Sequence, residues 1–369
     1  RDRMALGEEL LSKAKTWICI ALLAIFCFAV AGDAGAQGFS DSKNLSYVSP
    51  EDGPMRVGIG IKIDQITFVD QKAENFGAVA TIELQWQDPA LAFDEEDFGR
   101  DYRLFGVEPF IEYANDLPTT IPIFVIKNQQ GNRWIQDAVV VVRSNGAARY
   151  LERVSLTLQA PEFDFTKYPF DTQIFTLEIV SVNPIDLVEF VPIVEKSGLG
   201  DKLGEEEWIL ENAGVFVTTT TGLTGIDSTM AELVFQGRRH VQYYLLRIFL
   251  PLLILAIVAW AMFFLEEYRK RIEIAGANLL AFIAFNFAIS GDLPKLGYTT
   301  FLDFILMWMF LITGSIIVFN VALRRLKVSG HEELARRIDN YAIKWIYPLG
   351  YAAIIGFAVF TFLGNPFGQ

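Results

Sequence analysis

The first half of the chain alternates hydrophobic and polar residues with a period of two. Because successive side chains of a strand point to opposite faces, this pattern predicts half-buried β-strands. Turn-forming sequences at residues 130–132, 144–146 and 183–184 separate the alternating segments. Short strands between regular turns predict an all-β, immunoglobulin-like sandwich. The positions predicted to face its core include Val57, Ile59, Ile61, Ile63, Ile82, Leu84, Trp86, Val154, Leu156 and Leu158.

The second half is dominated by four uncharged hydrophobic runs, at residues 248–265, 274–291, 304–323 and 345–364. A bilayer core of about 30 Å is crossed by about 20 helical residues, so each run is long enough to span it. We predict a four-helix transmembrane bundle with helices at about 243–266, 272–291, 298–324 and 338–364.

Charge divides the chain at the same place. Residues 37–241 contain 32 acidic and 16 basic side chains, whereas residues 242–369 contain 8 acidic and 11 basic ones. We therefore assign residues 37–241 to an extracellular sandwich and residues 242–369 to the transmembrane domain. Basic residues cluster after the first and third runs, which places those loops in the cytoplasm and the sandwich and C-terminus outside.

The N-terminal segment is typical of an export signal. Lys13 and Lys15 precede an apolar run at 17–31, and Ala34 and Ala36 follow in a small-x-small pattern. We expect residues 1–36 to be a signal peptide with an N-terminal extension before Met4, cleaved after Ala36. A fifth transmembrane helix remains the alternative, although the run is short for a bilayer.

Composition excludes several classes of protein. The chain is 52% hydrophobic with a net charge of −13, which argues against a disordered protein and against a nucleic-acid binder. Its two cysteines, Cys19 and Cys27, both lie in the signal segment, so the mature protein has no cysteine for thiol catalysis, zinc ligation or disulfides. We predict no enzymatic activity, no cofactor and no resident metal.

The second hydrophobic run carries a stripe of related positions. Read at alternating steps of four and three residues, one helix face has a carboxylate at its cytoplasmic end, then small and bulky apolar residues. Around an axis shared by identical helices, Glu273 would form a carboxylate ring, and Leu280 and Phe287 would form constrictions that close by dewetting. Periodicity alone leaves a second interpretation open, in which Glu273 pairs with Arg269 or Arg271 in a packed bundle. The stripe consists of Glu273, Ala277, Leu280, Ala284, Phe287 and Gly291.

Several motifs occur in order along the chain and resemble those of one family. The chain is similar to the pentameric ligand-gated ion channels of the Cys-loop receptor superfamily, and to their bacterial members in particular. Pro161 and Phe175 stand where animal members have the two loop cysteines, and the loop 326–335 is short. The motifs are Asp70-Gln71-Lys72-Ala73-Glu74, Trp86-Gln87-Asp88, Tyr150-Leu151-Glu152-Arg153, Tyr168-Pro169-Phe170-Asp171, Arg239, Leu250-Pro251, Trp260, Ile283-Ala284-Phe285-Asn286 and Leu293-Pro294-Lys295.

The resemblance implies a homopentamer in which four identical subunits join each chain around a central pore lined by the second span. It also implies that the sandwich of residues 37–241 senses the ligand, and that ligand-induced motion in it reaches the pore through the domain junction. Asp171 and Arg239 are expected to form a charge-assisted pair there, with an ordinary surface ion pair as the alternative. The residues to which the resemblance gives a coupling role are Lys72, Glu74, Asp171, Arg239, Pro294 and Lys295.

Two departures from the family bear on ligand and selectivity. Thr120 replaces a family tryptophan, and the capping segment 218–230 has no aromatic residue, so no aromatic cage for an amine is visible. Arg269 stands where bacterial cation channels often have glutamate.

We predict a channel of the bacterial inner membrane, gated by pH or a small-molecule agonist and selective for monovalent cations. Glu74 and His240 are the first candidates for a pH response. An anion-selective channel and a poreless receptor remain alternatives.

Overall fold

The computed structural model describes residues 53–201, 203, 208–222, 225–290 and 296–364. The predicted signal peptide at 1–36, with both cysteines, lies outside these residues. Gly291 of the predicted pore stripe and Pro294 and Lys295 of the predicted coupling set also lie outside them.

Within the described residues, the extracellular part consists of two β-sheets built from eleven strands. These are β1 (Met55–Asp70), β2 (Asn75–Gln87), β3 (Tyr102–Phe105), β4 (Phe124–Ile126), β5 (Gln129–Arg143), β6 (Ala147–Gln159), β7 (Thr172–Ser181), β8 (Val188–Pro192), β9 (Gly198–Leu199), β10 (Trp208–Thr221) and β11 (Asp227–Arg239). One sheet has the order β3-β5-β6-β2-β1-β8, with β9 also paired to β1, and the other has the order β10-β11-β7-β4. Strand β1 runs parallel to β8 and β9, and its pairing with β2 is antiparallel.

The predicted alternation matches the buried positions, with one interruption. Ile59, Ile61 and Ile63 are fully buried, and so is Ile66, three residues further along β1. An uninterrupted strand would place residues 63 and 66 on opposite faces. A register shift between Ile63 and Gln65 restores the inward orientation of Ile66, as a β-bulge does.

Aromatic rings fill the lower core between the sheets around Phe175. Its ring centroid lies 5.0 Å from that of Phe76 and 5.2 Å from that of Phe235. Phe163 and Trp208 approach the same ring edge-on, at 5.2 and 5.6 Å. Offset and edge-to-face contacts of this kind add to the free energy gained from burial, and they connect both sheets at the end of the sandwich nearest the helices.

In the part of the chain that the structure describes, two short helices lie in the sandwich and four long ones follow it. The helices are α1 (Glu95–Phe98), α2 (Val107–Asn115), α3 (Val241–Phe264), α4 (Tyr268–Ser290), α5 (Phe301–Val328) and α6 (Glu332–Leu363), with 3₁₀ turns at Pro89–Leu91 and Val194–Lys196. Helices α3 to α6 are each long and apolar enough to cross a membrane. The predicted fold class, a β-sandwich followed by a four-helix membrane domain, is confirmed.

The helix ends differ from the predicted bounds for identifiable reasons. Helix α5 begins at Phe301, three residues later than predicted, because Thr300 and Asp303 form a capping box that fixes its start. Helix α6 begins at Glu332, before the predicted 338, because its first turns form an amphipathic helix that buries Ala335 and Asp339. Helix α4 likewise begins four residues before the predicted 272, at Tyr268.

Candidate functional site

The junction between the two domains is centred on the buried guanidinium of Arg239. This residue ends β11, two positions before α3 begins. Its Nε donates to Asp171 Oδ1 at 2.9 Å, and Nη1 donates to the hydroxyl of Tyr244 at 3.1 Å. With the Gln71 amide oriented so that its oxygen faces Arg239, that oxygen accepts from Nη1 at 2.8 Å and Nη2 at 3.2 Å. The guanidinium therefore bonds to the β1–β2 turn, to the loop before β7 and to the first membrane helix.

Aromatic rings surround the same guanidinium. Its central carbon lies 4.1 Å from the ring centroid of Trp208 and 4.8 Å from that of Tyr168. Both Arg239 and Asp171 are almost completely shielded from solvent. The predicted Asp171–Arg239 pair is thus present, and burial distinguishes it from the exposed ion pair that was the alternative. Burial makes the pair sensitive to the loss of either partner, because a lone charge would remain without water.

The loop of residues 160–171 that carries Asp171 is closed by packing and by one amide. The Gln173 side chain donates to the backbone oxygen of Asp164 at 2.8 Å and accepts from its backbone nitrogen at 2.9 Å. The same amide donates to Asp171 Oδ2 at 2.5 Å. Because Phe163 and Phe175 also pack edge-to-face across the loop, Asp171 is held in front of Arg239.

The loop also contacts the membrane helices directly. The backbone nitrogen of Phe165 donates to the Tyr298 hydroxyl at 3.0 Å, and that of Phe301 donates to the Thr166 oxygen at 2.9 Å. The ring of Phe170 packs against that of Phe301, with centroids 5.5 Å apart. Tyr298 and Phe301 lie at the approach to α5, so one extracellular loop bonds to the connection between α4 and α5.

Two of the predicted coupling residues lie in the β1–β2 turn. Glu74 is exposed and adopts a φ of 49°. The backbone nitrogen of Lys72 donates to Asp70 Oδ1 at 2.9 Å, which braces the turn next to Gln71. The resemblance pointed to this turn, but the contact residues Gln71, Trp208, Tyr244 and Tyr298 were missed. Their aromatic or amide character near the domain boundary was the only available signal.

The predicted pore stripe lies on the exposed side of α4. Leu280 and Phe287 are 67% and 76% exposed, and Glu273, Ala277 and Ala284 are exposed as well. The buried side of the same helix consists of Arg271, Ala275, Asn278, Phe282 and Ile289. An apolar face of this extent needs lipid or another copy of the chain to cover it.

At the cytoplasmic end of this face, Glu273 pairs with Arg269. The Arg269 Nε donates to Glu273 Oε1 at 3.0 Å, and the two side chains are 62% (Glu273) and 79% (Arg269) exposed. Arg271 contacts Asp339 instead. The Glu273 carboxylate therefore has an arginine partner and also lies on the exposed face of α4.

Two carboxylates oppose each other in the sheet formed by β10, β11, β7 and β4. Glu232 of β11 is in register with Glu178 of β7, and Lys127 Nζ donates to Glu178 at 2.8 Å. Burial, and then the charges of Glu178 and Glu162, raise the pKa of Glu232 above its ordinary value. This pair escaped the sequence analysis because strand register is needed to bring residues 178 and 232 together.

The capping segment predicted to lack an aromatic cage forms the hairpin of β10 and β11. Thr218 pairs with Met230 across the hairpin, and Thr219 with Thr229. Thr120 is buried rather than presented at the surface. Thr218 and Thr219 are exposed on this hairpin, whereas Thr229 is buried.

Known proteins are similar to this chain over both of its domains. Residues 42–185 match the family model of the neurotransmitter-gated ion-channel ligand binding domain. The chain is 27% identical to a proton-gated ion channel of Gloeobacter violaceus, over 98% of each chain. It is 25% identical to the γ-aminobutyric acid receptor subunit pi of Rattus norvegicus over 66% of this chain and 54% of that one. It is 21% identical to the pH-sensitive chloride channel 2 of Drosophila melanogaster over 80% of this chain and 58% of that one.

Replacing Asp171 by asparagine should destabilise the junction strongly. The variant leaves Arg239 buried without its carboxylate, which typically costs about 3–5 kcal/mol. We expect a marked fall in the melting temperature of the detergent-solubilised protein. The double variant D171N/R239Q should lose less than the sum of the two single variants, because it buries no lone charge. Additive losses would contradict the coupling.

Replacing Glu232 by glutamine should change how stability depends on pH. A raised pKa means that the folded state binds the proton more tightly than the unfolded state, whose value is near 4.5. The carboxyl's contribution to the free energy of unfolding therefore falls as pH rises from the unfolded pKa through the raised one. We expect E232Q to melt at a higher temperature than the wild type near pH 8, with the difference shrinking toward about pH 4. The control E112Q, on the exposed side of α2, should show no such trend.

Proposed function

Since this chain belongs to the Cys-loop receptor superfamily of pentameric ligand-gated ion channels, we propose that five identical copies form a proton-gated, cation-selective channel. The observation that carries the proposal is the exposed face of α4, which holds Glu273, Leu280 and Phe287. Assembly of five copies around one axis would cover this face, with the carboxylates and apolar side chains facing the ion path. The multi-pass membrane location and the extracellular sandwich are common to the family.

The pore would be closed by apolar side chains. Rings of Leu280 and Phe287 have no group that could replace the water around an ion, so a narrow ring excludes ions by dewetting. The small side chains of Ala277, before the Leu280 ring, and of Ala284, between the two rings, leave wider positions in the pore. We assign the closed gate to Leu280 and Phe287.

Cation preference would arise from two sources. The extracellular residues 37–241 have a net charge of −16 per subunit. This charge raises the concentration of cations above the membrane, although salt screens it beyond about 8 Å. The ring of Glu273 then acts at short range, with its charge partly offset by Arg269. Ions entering from outside reach Glu273 before Arg269.

We assign the stimulus to protons. Glu232 and Glu178 lie on the same strands, β11 and β7, as Arg239 and the residue after Asp171. Seven residues of strand, about 23 Å, separate Glu232 from Arg239. Protonating Glu232 removes a like-charge repulsion between these strands, and a change in their pairing reaches the buried junction through a continuous backbone. Relatives named as a proton-gated channel and a pH-sensitive channel support this assignment. Glu74 and His240 are further titratable groups near the junction.

A second candidate function is an anion-selective channel. Arg269 lies one helical turn from Glu273 on the exposed face, and it is the more exposed of the two. The relatives include a chloride channel and γ-aminobutyric acid receptor subunits. If the Arg269 ring dominates over Glu273, anions would be favoured.

Purified protein in planar bilayers tests the proposal. We expect currents when the extracellular side is acidified from about pH 7.5 to about pH 4.5 without added ligand. In asymmetric NaCl the reversal potential should indicate cation preference. The matched variants E273Q and R269Q should move it in opposite directions, E273Q toward chloride and R269Q toward sodium. No current at any pH, with opening by a small amine at constant pH, would instead favour an agonist site at the β10–β11 hairpin.

Replacing Leu280 by serine tests the apolar gate. A hydroxyl at the constriction stabilises water there, so L280S should conduct at rest and open at a smaller acidification than the wild type. L280I retains an apolar side chain of similar volume and serves as the control. Unchanged resting current in L280S, with normal amounts of protein at the surface, would place the gate elsewhere.

A further inference from the structure

A second buried ion pair lies at the cytoplasmic end of the membrane domain. Arg271 is in the first turn of α4, and Asp339 is in the amphipathic start of α6. The Nη1 of Arg271 donates to both carboxylate oxygens of Asp339, at 2.7 and 2.8 Å. The two side chains are only 5% and 11% exposed. A pair so well shielded depends on both partners.

Arg271 also connects a third segment. Its Nε donates to the backbone oxygen of Leu265, just beyond the end of α3, at 2.6 Å. The ring of Tyr268 lies 4.9 Å from the guanidinium carbon. The first turn of α4 is thereby attached, on its buried side, to both the end of α3 and the start of α6.

The exposed pair of α4 lies on the other side of this turn. Successive residues of a helix are about 100° apart, so residues two positions before and after Arg271 lie on the face opposite to it. Those residues are Arg269 and Glu273, which pair with each other at the surface. The contact on the buried side thus determines which of the neighbouring charges faces outward.

We propose that Asp339 is a positioning residue for the charge selectivity of the cytoplasmic pore mouth. By binding Arg271 it keeps that guanidinium out of the ion path, on the side of α4 opposite to the exposed Arg269–Glu273 pair. Asp339 itself lies on the helix furthest along the chain from α4 and does not line the pore. The inference rests on the proposed function, in which the exposed face of α4 surrounds the ion path.

Loss of the carboxylate would release a cation. Arg271 would keep the Leu265 carbonyl and the Tyr268 ring as neighbours, but neither neutralises its charge. A guanidinium buried without a counter-charge is strongly unfavourable. Its long side chain, or a rotation of the first turn of α4, would bring it toward the water of the pore mouth. Each subunit would then contribute a second positive charge near Glu273.

The test is the reversal potential of D339N channels in asymmetric NaCl solutions. We expect the permeability ratio of sodium to chloride to fall at least about threefold relative to the wild type, as five added charges at this range imply. The double variant R271Q/D339N, which has no cation to release, should return to the wild-type ratio. D339E retains the charge and should also resemble the wild type. A merely structural role would alter expression or open time and leave the permeability ratio unchanged.

Two further arms make the outcome decisive. E333Q removes a carboxylate from the same end of α6 that contacts Arg336 at the surface, and it should leave the ratio unchanged. If D339N alone does not assemble, mixed pentamers made by co-expression with wild-type subunits should show a smaller shift in the same direction. An unchanged ratio in D339N or in the mixed pentamers overturns the inference, as does a double variant that keeps the D339N shift.

The variant E273Q separates this inference from the proposed function. A shift in E273Q without one in D339N leaves the pore assignment standing and rejects the role of Asp339. No shift in either variant means that the exposed face of α4 does not determine selectivity, and the proposed pore lining itself fails.

Discussion

The arrangement of the junction follows from the cost of burying one arginine. A guanidinium without water must find a counter-charge and acceptors for its N–H groups. Arg239 obtains them from Asp171, Gln71 and Tyr244, which belong to three different segments. Those segments are the loop before β7, the β1–β2 turn and the first membrane helix. None of them can move far independently without leaving the charge unsatisfied. The sandwich and the helices are therefore connected at a point where small displacements have a large energetic effect.

A second buried arginine–aspartate pair lies at the cytoplasmic side of the membrane domain. Arg271 bonds to Asp339 and to the end of α3, so the helix that presents Glu273 is anchored at its cytoplasmic end. Near the other end, the approach to α5 is held by Tyr298 and Phe301 against the extracellular loop. Between these attachments, the exposed residues of α4 have few hydrogen-bond partners within the described part of the chain: the Arg269–Glu273 and Lys270–Glu267 pairs and the internal bond of Ser290 to Phe287. Helix α4 is thus held at its cytoplasmic end and along its buried side.

Sequence periodicity predicted many of the buried and exposed faces, and the positions where it failed have physical causes. Alternation predicted the inward residues of β1 up to Ile63, but the bulge that turns Ile66 inward depends on pairing with β2. The stripe on α4 could be predicted because helical spacing is local. The partner of Glu273 remained ambiguous, because Arg269 and Arg271 are both near in sequence and only packing against α6 separates them. Asp171 and Arg239 came from the family resemblance rather than from their residue types. Gln71 and the Glu232–Glu178 pair depend on contacts between distant strands, which no local pattern reports.

The loop before β7 is closed without a covalent bond. Ring packing between Phe163 and Phe175 and the two-way contact of Gln173 with Asp164 take that role. Closure of this kind is indifferent to reductants and to the oxidising enzymes of the cell envelope. Its strength instead follows temperature, since apolar packing loses part of its driving force on cooling. The closure of this loop is therefore insensitive to redox conditions and sensitive to temperature.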